Sequence, residues 1–424
     1  MKTAAKDFKM TELGPIPKNW EVKRLGELLE FKNGYNTDAS NFGKGVPFAS
    51  VLDALSDRPA TSKSILGRVV ATRKAEDEFS LTYGDLIFTR SSETLEDVGR
   101  SNVYVDRCQG AIFGGFVIRG RPIFKFDSVF LNYLLKDGAH RIRVYSQGAG
   151  AQHYNIGQTG LGRVSVTLPP FPEQRKIAAA LSDVDEMIVA LEKLIEKKRK
   201  VRVSTACDLI EGRRRLVVHN EEFKDSEVGR IPRDWDVLPL RELFDLRMEK
   251  NTNGEMRMIL SVMKDIGVIP YAEKGNVGNR AKDDLTQYLI ARVGDVVMNS
   301  MNVIIGSVGV TKWDGCISPA YYALTPKENA NSIYYNAWFS RPSTQARIKE
   351  RACGMMEIRL KIGIDDLLDM RFPVPSVAEQ KLIAKVLGDM DAEIAALEEE
   401  LAKTRQLKQG MMQELLTGKV RLKG

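Results

Sequence analysis

Glu173-Gln174 through Leu216 and Glu379-Gln380 through Leu422 are one segment written twice. The first copy runs through Ile177, Leu181, Asp183, Asp185 and Ile188 and closes on Gly212-Arg213-Arg214-Arg215-Leu216. The second runs through Ile383, Leu387, Asp389, Asp391 and Ile394 and closes on Gly418-Lys419-Val420-Arg421-Leu422. The offset is 379 − 173 = 206 at the start and 422 − 216 = 206 at the end, so no gap is needed. In each copy the apolar residues recur at 4-3-4-3-4 spacing: Ile177, Leu181, Val184, Ile188, Leu191 and Ile195, then Ile383, Leu387, Met390, Ile394, Leu397 and Leu401. That spacing predicts the a/d seam of a coiled coil, narrower than the stripe of a core helix. The seam turns polar at Lys198 and Arg202, and at Thr404 and Lys408. Pro172 suits a first helical turn, Ser376 with Glu379 reads as a capping box, and Gly212 and Gly418 stand where helices end. A helix of about 39 residues at about 1.5 Å each is roughly 58 Å long. That exceeds one domain, so the two copies are expected to pair with each other, antiparallel. The alternative, a homo-oligomeric coiled coil, is less economical, because both partners are already in the chain.

The flanking segments repeat more loosely. Glu12-Leu13-Gly14-Pro15-Ile16-Pro17 and Trp20 match Glu227-Val228-Gly229-Arg230-Ile231-Pro232 and Trp235 at an offset of 232 − 17 = 215. Gly84-Asp85 before Leu86-Ile87-Phe88 matches Gly294-Asp295 before Val296-Val297-Met298, at 210; Ile156-Gly157 matches Ile362-Gly363, at 206. The drift means that loops differ while a scaffold persists. Gly-Asp before three apolar residues reads as a turn into a buried strand. Val103–Val105, Phe113–Ile118 and Tyr321–Leu324 also read as strands, and Phe130–Leu135 and Tyr334–Phe339 as short helices. The expected fold class is α+β: two globular mixed α/β halves separated by two long antiparallel coiled-coil helices, with an internal pseudo-twofold repeat. The expected boundaries are 1–168, 169–216, 217–372 and 373–424.

Composition narrows the function classes. The 424 residues are 43% hydrophobic and 28% charged, with net charge +7, which suits a globular chain that can meet an anionic partner. His140, His153 and His219 are scattered, and Cys108, Cys207, Cys316 and Cys353 form no C-x-x-C pair, so neither a zinc site nor a disulfide framework is expected. Met1–Met10 lacks the apolar core of a signal peptide, no run of about 18 apolar residues exists, and a cytoplasmic protein is expected.

These elements resemble the specificity subunit of a type I restriction–modification system. The resemblance covers nearly the whole chain. It rests on Leu168-Pro169-Pro170 followed by Glu173-Gln174 and Ile177, on Pro373-Val374-Pro375 followed by Glu379-Gln380 and Ile383, and on Glu414-Leu415-Leu416-Thr417-Gly418-Lys419-Val420-Arg421. The Ile-Pro and Trp openings add to it. Ser376-Val377-Ala378 departs from Pro170-Phe171-Pro172, which touches only the helix start. The resemblance implies two target-recognition domains, each reading one half of a split double-stranded DNA sequence, with the paired helices setting the unread gap. It implies two methyltransferase subunits as partners, using S-adenosylmethionine and flipping an adenine out of the duplex. It also implies restriction/translocase subunits using ATP and magnesium. No cofactor is expected on this chain.

The residues themselves agree that a catalyst is missing. Leu168-Pro169-Pro170-Phe171 is one residue from the adenine-methylation tetrad, but leucine offers no acceptor for an adenine amino group. Gly43-Lys44-Gly45 and Gly418-Lys419-Val420 lack the serine or threonine of a phosphate loop. Two hypotheses remain: a non-catalytic DNA-reading subunit, or a self-sufficient DNA-modifying enzyme with an unrecognised site. For DNA reading, arginine suits guanine and asparagine or glutamine suits adenine. Candidates are taken where the scaffold gives way to half-specific residues. After the repeated strand these are Arg90, Ser91 and Ser92, with Arg100 and Asn102 nearby, and in the second half Asn299, Ser300 and Asn302. Before the repeated Ile-Gly they are Gln152 and Asn155, then Arg359 and Lys361; Lys274 and Arg280 lie in a basic loop. Trp20 and Trp235 are expected as apolar anchors, because they repeat. Lys197–Lys200 and Arg213–Arg215 could hold phosphates, line a solvated helix face or meet a methyltransferase.

Overall fold

The computed structural model describes residues 7–107, 110–150, 153–217, 222–264, 266–274, 284–352 and 361–422. It forms two compact units, Met1–Glu192 with Glu399–Gly424, and Lys193–Glu398. The cuts at Glu192 and Glu398 lie 398 − 192 = 206 residues apart, the period of the repeat.

In the first unit a hairpin, Phe8–Thr11 with Gly14–Pro17, precedes the strand Glu21–Arg24, which pairs antiparallel with Ser165–Leu168. A four-stranded antiparallel sheet has the order Leu29–Asn33, Val117–Pro122, Leu86–Thr89, Ser101–Val103. The run Leu86-Ile87-Phe88 is a central strand flanked on both sides, so all three side chains are fully buried. Its turn is set by Gly84, at φ +89° in the left-handed region that glycine tolerates best. Asp85 is more than a turn residue. It is buried, accepts from the Thr82 N–H at 2.8 Å, and takes Arg121 through Nε at 3.0 Å and Nη2 at 2.8 Å. The expected strand Phe113–Ile118 is two strands, Ile112–Phe113 and Val117–Pro122, broken at Gly114-Gly115. The backbone there passes so close to Phe48 that a Cβ on Gly114 would lie 2.4 Å from the ring. The helix Ser128–Lys136 is capped by Asp127, whose Oδ1 accepts from the Phe130 N–H at 2.8 Å. It brings Phe130, Leu131 and Leu134 into one core with Ile177, Leu181, Leu415 and Leu416.

The second unit repeats this plan. Its hairpin is Phe223–Ser226 with Gly229–Pro232, and Asp236–Pro239 pairs with Arg371–Val374. Its sheet has the order Phe244–Leu246, Tyr321–Pro326, Val296–Asn299, Val308–Val310. Asp295 is buried like Asp85, but its arginine comes from another strand end: Arg247 donates through Nε at 2.7 Å and Nη2 at 3.2 Å. The helix Ser332–Phe339 shares a core with Leu209, Ile210, Ile383 and Leu387. Each unit therefore holds the start of one long helix and the end of the other.

The long helices are Phe171–Ile210 and Val377–Leu415. Within each unit they run antiparallel. Asp185 meets Lys408 and Glu192 meets Arg405 in the first; Asp391 meets Arg202 and Glu398 meets Arg199 in the second. These pairs are equivalent under the 206-residue repeat. The a/d residues of the seam are buried or half-buried throughout. Gly212 and Gly418 end the helices at φ +69° and +71°. The capping box is only half present. Ser376 Oγ accepts from the Glu379 N–H at 3.2 Å, while the Glu379 carboxylate is engaged elsewhere.

That engagement is the joint of each unit. Glu379 takes Arg215 through Nε at 2.6 Å and Nη2 at 2.9 Å, and the Trp235 indole N–H at 3.1 Å. Glu173 takes Arg421 at 2.6 and 2.7 Å and the Trp20 N–H at 3.3 Å. Both tryptophans are fully buried beneath their arginines, with ring distances of 5.6 Å for Arg421 and 5.4 Å for Arg215. Neighbouring glutamines complete the joint: Gln174 Oε1 accepts from the Asp127 N–H at 2.8 Å and Gln380 Oε1 from the Asn331 N–H at 2.9 Å.

Removing one partner of a buried ion pair costs about 3–5 kcal/mol. Glu173→Ala is expected to lower stability by that order. Glu379→Ala should cost less, because Arg215 keeps Asp234 at 2.8 Å. Urea unfolding of both variants measures the difference. The Glu173 carboxyl also predicts acid lability. Burial pushes its pKa up, but the hydrogen bonds and charge of Arg421 and the Trp20 N–H outweigh that and hold it below the ordinary value of 4.5. The linked stability is therefore full above about pH 4.5 and lost as pH falls through the lower folded value. Glu173→Gln should remove this part of the acid dependence.

Candidate nucleic-acid interface

In both halves the repeated isoleucine that follows the second half-specific segment bonds to the first segment. In the first, the central strand ends at Thr89, and the backbone N–H of Ile156 donates to the Arg90 carbonyl at 3.0 Å. Ser91–Ser92 pairs antiparallel with Tyr154–Asn155, and Ser91 Oγ donates to Asn155 Oδ1 at 2.5 Å. Arg90, Ser91, Ser92 and Asn155 thus form one half-exposed edge, although 64 residues separate Ser91 from Asn155. Arg90 reaches the Gly115 carbonyl at 3.4 Å, beside Phe116, which is 69% exposed. Arg100 is paired with Asp97 and Asp57 at 3.3 and 3.5 Å. Asn102 is fully buried, its Nδ2 donating to the Asp53 carbonyl at 2.8 Å and the Arg58 carbonyl at 2.7 Å. Gln152 lies outside the described residues.

The second half uses the same stitch. The Ile362 N–H donates to the Ser300 carbonyl at 3.3 Å. Ser300 is buried, its Oγ donating to the Ala320 carbonyl at 2.6 Å, so it holds the loop. Asn299 and Asn302 form a tight turn, the Asn302 N–H donating to the Asn299 carbonyl at 2.9 Å. Asn299 Oδ1 accepts from the Met301 N–H at 3.2 Å, which orients the carboxamide. Asn299, Asn302 and Lys274 line one cavity of about 320 Å³ with Tyr271, Tyr288, Tyr321 and Ser318. Lys274 lies 5.5 Å from the Tyr271 ring, and burial raises the Tyr321 phenol above its ordinary value, keeping it a donor. Three candidates drawn from two separate segments therefore converge. The tyrosines carried no sequence signal. Tyr321 reads only as the first residue of a strand, and nothing short of the fold brings Tyr271 and Tyr288 to it. Lys361 is exposed at the end of its segment; Arg280 and Arg359 lie outside the described residues.

The other basic runs are internally paired. Lys198 meets Glu393, Lys200 meets Glu196, and Arg215 is held in the joint by Glu379 and Asp234. Among the described residues no group of three or more His, Cys, Asp or Glu could hold a metal, and no helix is long and apolar enough to cross a membrane.

A chain that builds the same joint, sheet and strand-end stitch twice is matched by one family over both copies. The family described as type I restriction modification DNA specificity domain matches residues 17–201 and 232–408. This chain belongs to that family. The specificity fold is spread over the full length. The type I restriction enzyme MjaX specificity subunit of Methanocaldococcus jannaschii is 28% identical, over 98% of this chain and 97% of that one. The MjaVIII specificity subunit of the same organism is 24% identical over 96% and 94%. Among solved structures, the S subunit of a type I restriction–modification system from M. genitalium aligns over 94% of this chain and 96% of its own, with a TM-score of 0.58 at 16% identity. A chain from a study of type I complex assembly and conformational transition aligns over 96% and 99%, with a TM-score of 0.54 at 17% identity. The last two share the specificity fold.

The geometry separates an exposed candidate, Asn302, from a buried support, Asn102. Asn302→Ala, at an exposed position on the cavity, should relax sequence preference at one base position and cost about 1–3 kcal/mol in specific binding. Asn102→Ala should instead leave two carbonyls unpaired, cost roughly 1–3 kcal/mol of stability, and leave sequence preference unchanged. Binding to a panel of single-base variants, with thermal melts alongside, distinguishes the two.

Proposed function

We propose that this chain is the non-catalytic DNA-reading subunit of a type I restriction–modification complex, each globular half reading one half of a bipartite target. The observation that carries the reading is the stitch: in both halves, one backbone hydrogen bond ties the repeated isoleucine, Ile156 or Ile362, to Arg90 or Ser300, just past the end of a buried strand, where the repeat lapses. A rigid scaffold ending in variable side chains suits direct readout of base edges, with phosphate contacts giving position. In the second half, asparagine, lysine and tyrosine groups around the cavity supply both donors and acceptors. The helix pair sets the unread gap and docks two methyltransferase subunits, which carry S-adenosylmethionine; restriction/translocase subunits carry ATP and magnesium. The purified chain alone should transfer no methyl group from S-adenosylmethionine; methylation without any other protein would overturn the reading.

The ruler has its own test. One heptad inserted after Leu191 and another after Leu397 keeps every a/d residue facing its partner. Seven residues add roughly 10 Å of helix. At about 3.4 Å per base pair this is about 3 base pairs. Methylome sequencing of cells carrying the insertions, with the partner subunits, is expected to show unchanged half-sites and a longer gap. Altered half-sites at an unaltered gap would show that the helices do not set the distance.

A further inference from the structure

A second cavity in the Lys193–Glu398 unit, of about 570 Å³, has no part in the reading edge. It is enclosed by the end of the first long helix, the hairpin Phe223–Ser226 with Gly229–Pro232, and the first turn of the helix Pro342–Arg351. Four guanidinium groups line it, from Arg213, Arg230, Arg341 and Arg347, against one carboxylate, Glu211. The lining charge is therefore 4 − 1 = +3. Glu211 is engaged by Arg213 and Arg341 together. Arg230 lies 5.2 Å from the Phe223 ring and has no carboxylate partner among the described residues. Thr344 also lines the cavity; it is 1% exposed and its hydroxyl has no hydrogen-bond partner. It stands in the first turn of its helix, where backbone N–H groups lack intrahelical acceptors. Phe223, Ile231 and Trp338 make the rest of the wall apolar.

The first half differs at four of the lining positions. The matching positions hold Pro15 for Arg230, Asp137 for Arg341 and Leu134 for Trp338. His140 stands for Thr344, and its ring contacts Asp137 at 3.5 Å and Thr167 at 3.4 Å. Arg347 and Arg213 match the basic residues Arg143 and Lys419, so Arg230 and Arg341 are the two arginines added to the repeated scaffold at one half only.

We propose that this cavity takes an acidic side chain, presented on an apolar-flanked peptide segment of a protein partner, and that it marks the second half as different from the first. Guanidinium forks pair carboxylates with directional, charge-assisted hydrogen bonds, and the apolar wall accepts the neighbouring residues. Duplex phosphates sit on a wide rigid rod, which suits ridges and grooves better than a concave cavity of this size. A partner engaging this cavity gives an otherwise pseudo-symmetric scaffold a direction.

The test uses the full chain and the Trp338 indole N–H resonance, assigned with Trp338→Phe. The probes are Ac-Glu-Leu-Glu-NH2, Ac-Gln-Leu-Gln-NH2 and inorganic phosphate. The glutamate peptide is expected to shift the resonance saturably and to bind at least about tenfold more tightly than the glutamine peptide. Arg341→Asp installs the residue that the first half has there and adds a good helix cap, so folding should survive. It should weaken the glutamate peptide by at least about tenfold without changing DNA affinity; Arg230→Ala, away from the helix, should also weaken it. Equal binding of the two peptides, binding insensitive to both variants, or saturation by phosphate alone would overturn the proposal. So would a loss of DNA affinity with a flatter salt dependence in Arg341→Asp, which would make the cavity a phosphate site on DNA.

Discussion

Each unit is organised around a buried carboxylate in the first turn of a long helix. Glu173 joins Arg421, just beyond the end of the other helix, to Trp20, at the opening of the globular half. Glu379 does the same with Arg215 and Trp235. Three pieces distant in sequence are tied at one point, and the next residue, Gln174 or Gln380, ties in a fourth, the cap of a short helix. A buried ion pair is weak evidence for net stability, since desolvation offsets much of its attraction. Its contribution here is geometric: a guanidinium fork accepts the carboxylate in one orientation. The helix ends share that precision. A Cβ on Gly418 would lie 2.5 Å from Pro17, and one on Gly212 2.3 Å from Pro232, so the chain leaves each helix against the Ile-Pro turn of a globular half.

With the helices fixed at their ends, the sheets can stay constant while their rims change. The Gly-Asp turn and the buried strand after it appear in both halves, yet the partner of the aspartate does not. Arg121 serves Asp85 from the neighbouring strand. At that position the second half has Thr325, which gives Asp295 a hydrogen bond at 2.9 Å, while Arg247 supplies the charge. The scaffold preserves a satisfied buried carboxylate and not a particular pair. The same latitude at the strand ends gives a serine-rich edge in one half and a tyrosine-lined cavity in the other.

The repeat, the seam and the Gly-Asp strands were legible in the sequence because period and offset report which residues face a core. The candidate segments were legible as places where the repeat lapses. Their partners were not. Nothing in the sequence shows that Asn102 turns inward to the Asp53 and Arg58 carbonyls while Asn302 stays exposed, or that Tyr271 meets Asn299. Polar groups choose partners across the fold, at separations that local pattern does not encode. The joint was half legible: Trp20 and Trp235 stood out as anchors, and Arg215 and Arg421 occupied matching positions, but Arg215 lies within a basic run that pattern alone reads as phosphate contacts, a solvated face or a methyltransferase contact. Ser376 with Glu379 read as a capping box for a similar reason. Local chemistry permits the glutamate to turn back on its own helix, and tertiary chemistry offers it a charged partner instead.

The helices themselves are held unevenly. Ile177, Leu181, Ile383 and Leu387 are fully or almost fully buried because the globular cores close over them. Val184, Ile188, Met390 and Ile394 are only partly covered, and there Lys408–Asp185 and Arg202–Asp391 flank the seam. Partly exposed ion pairs contribute little, about 0–1 kcal/mol where solvent reaches them, and are screened by salt. The joints and the globular cores hold the helix ends, and between them the seam is buried at Leu191 and Ile195 and half-buried elsewhere. A change of length in the middle therefore has to keep the heptad. A change at an end breaks a buried charge, a close-packed glycine and a core at once.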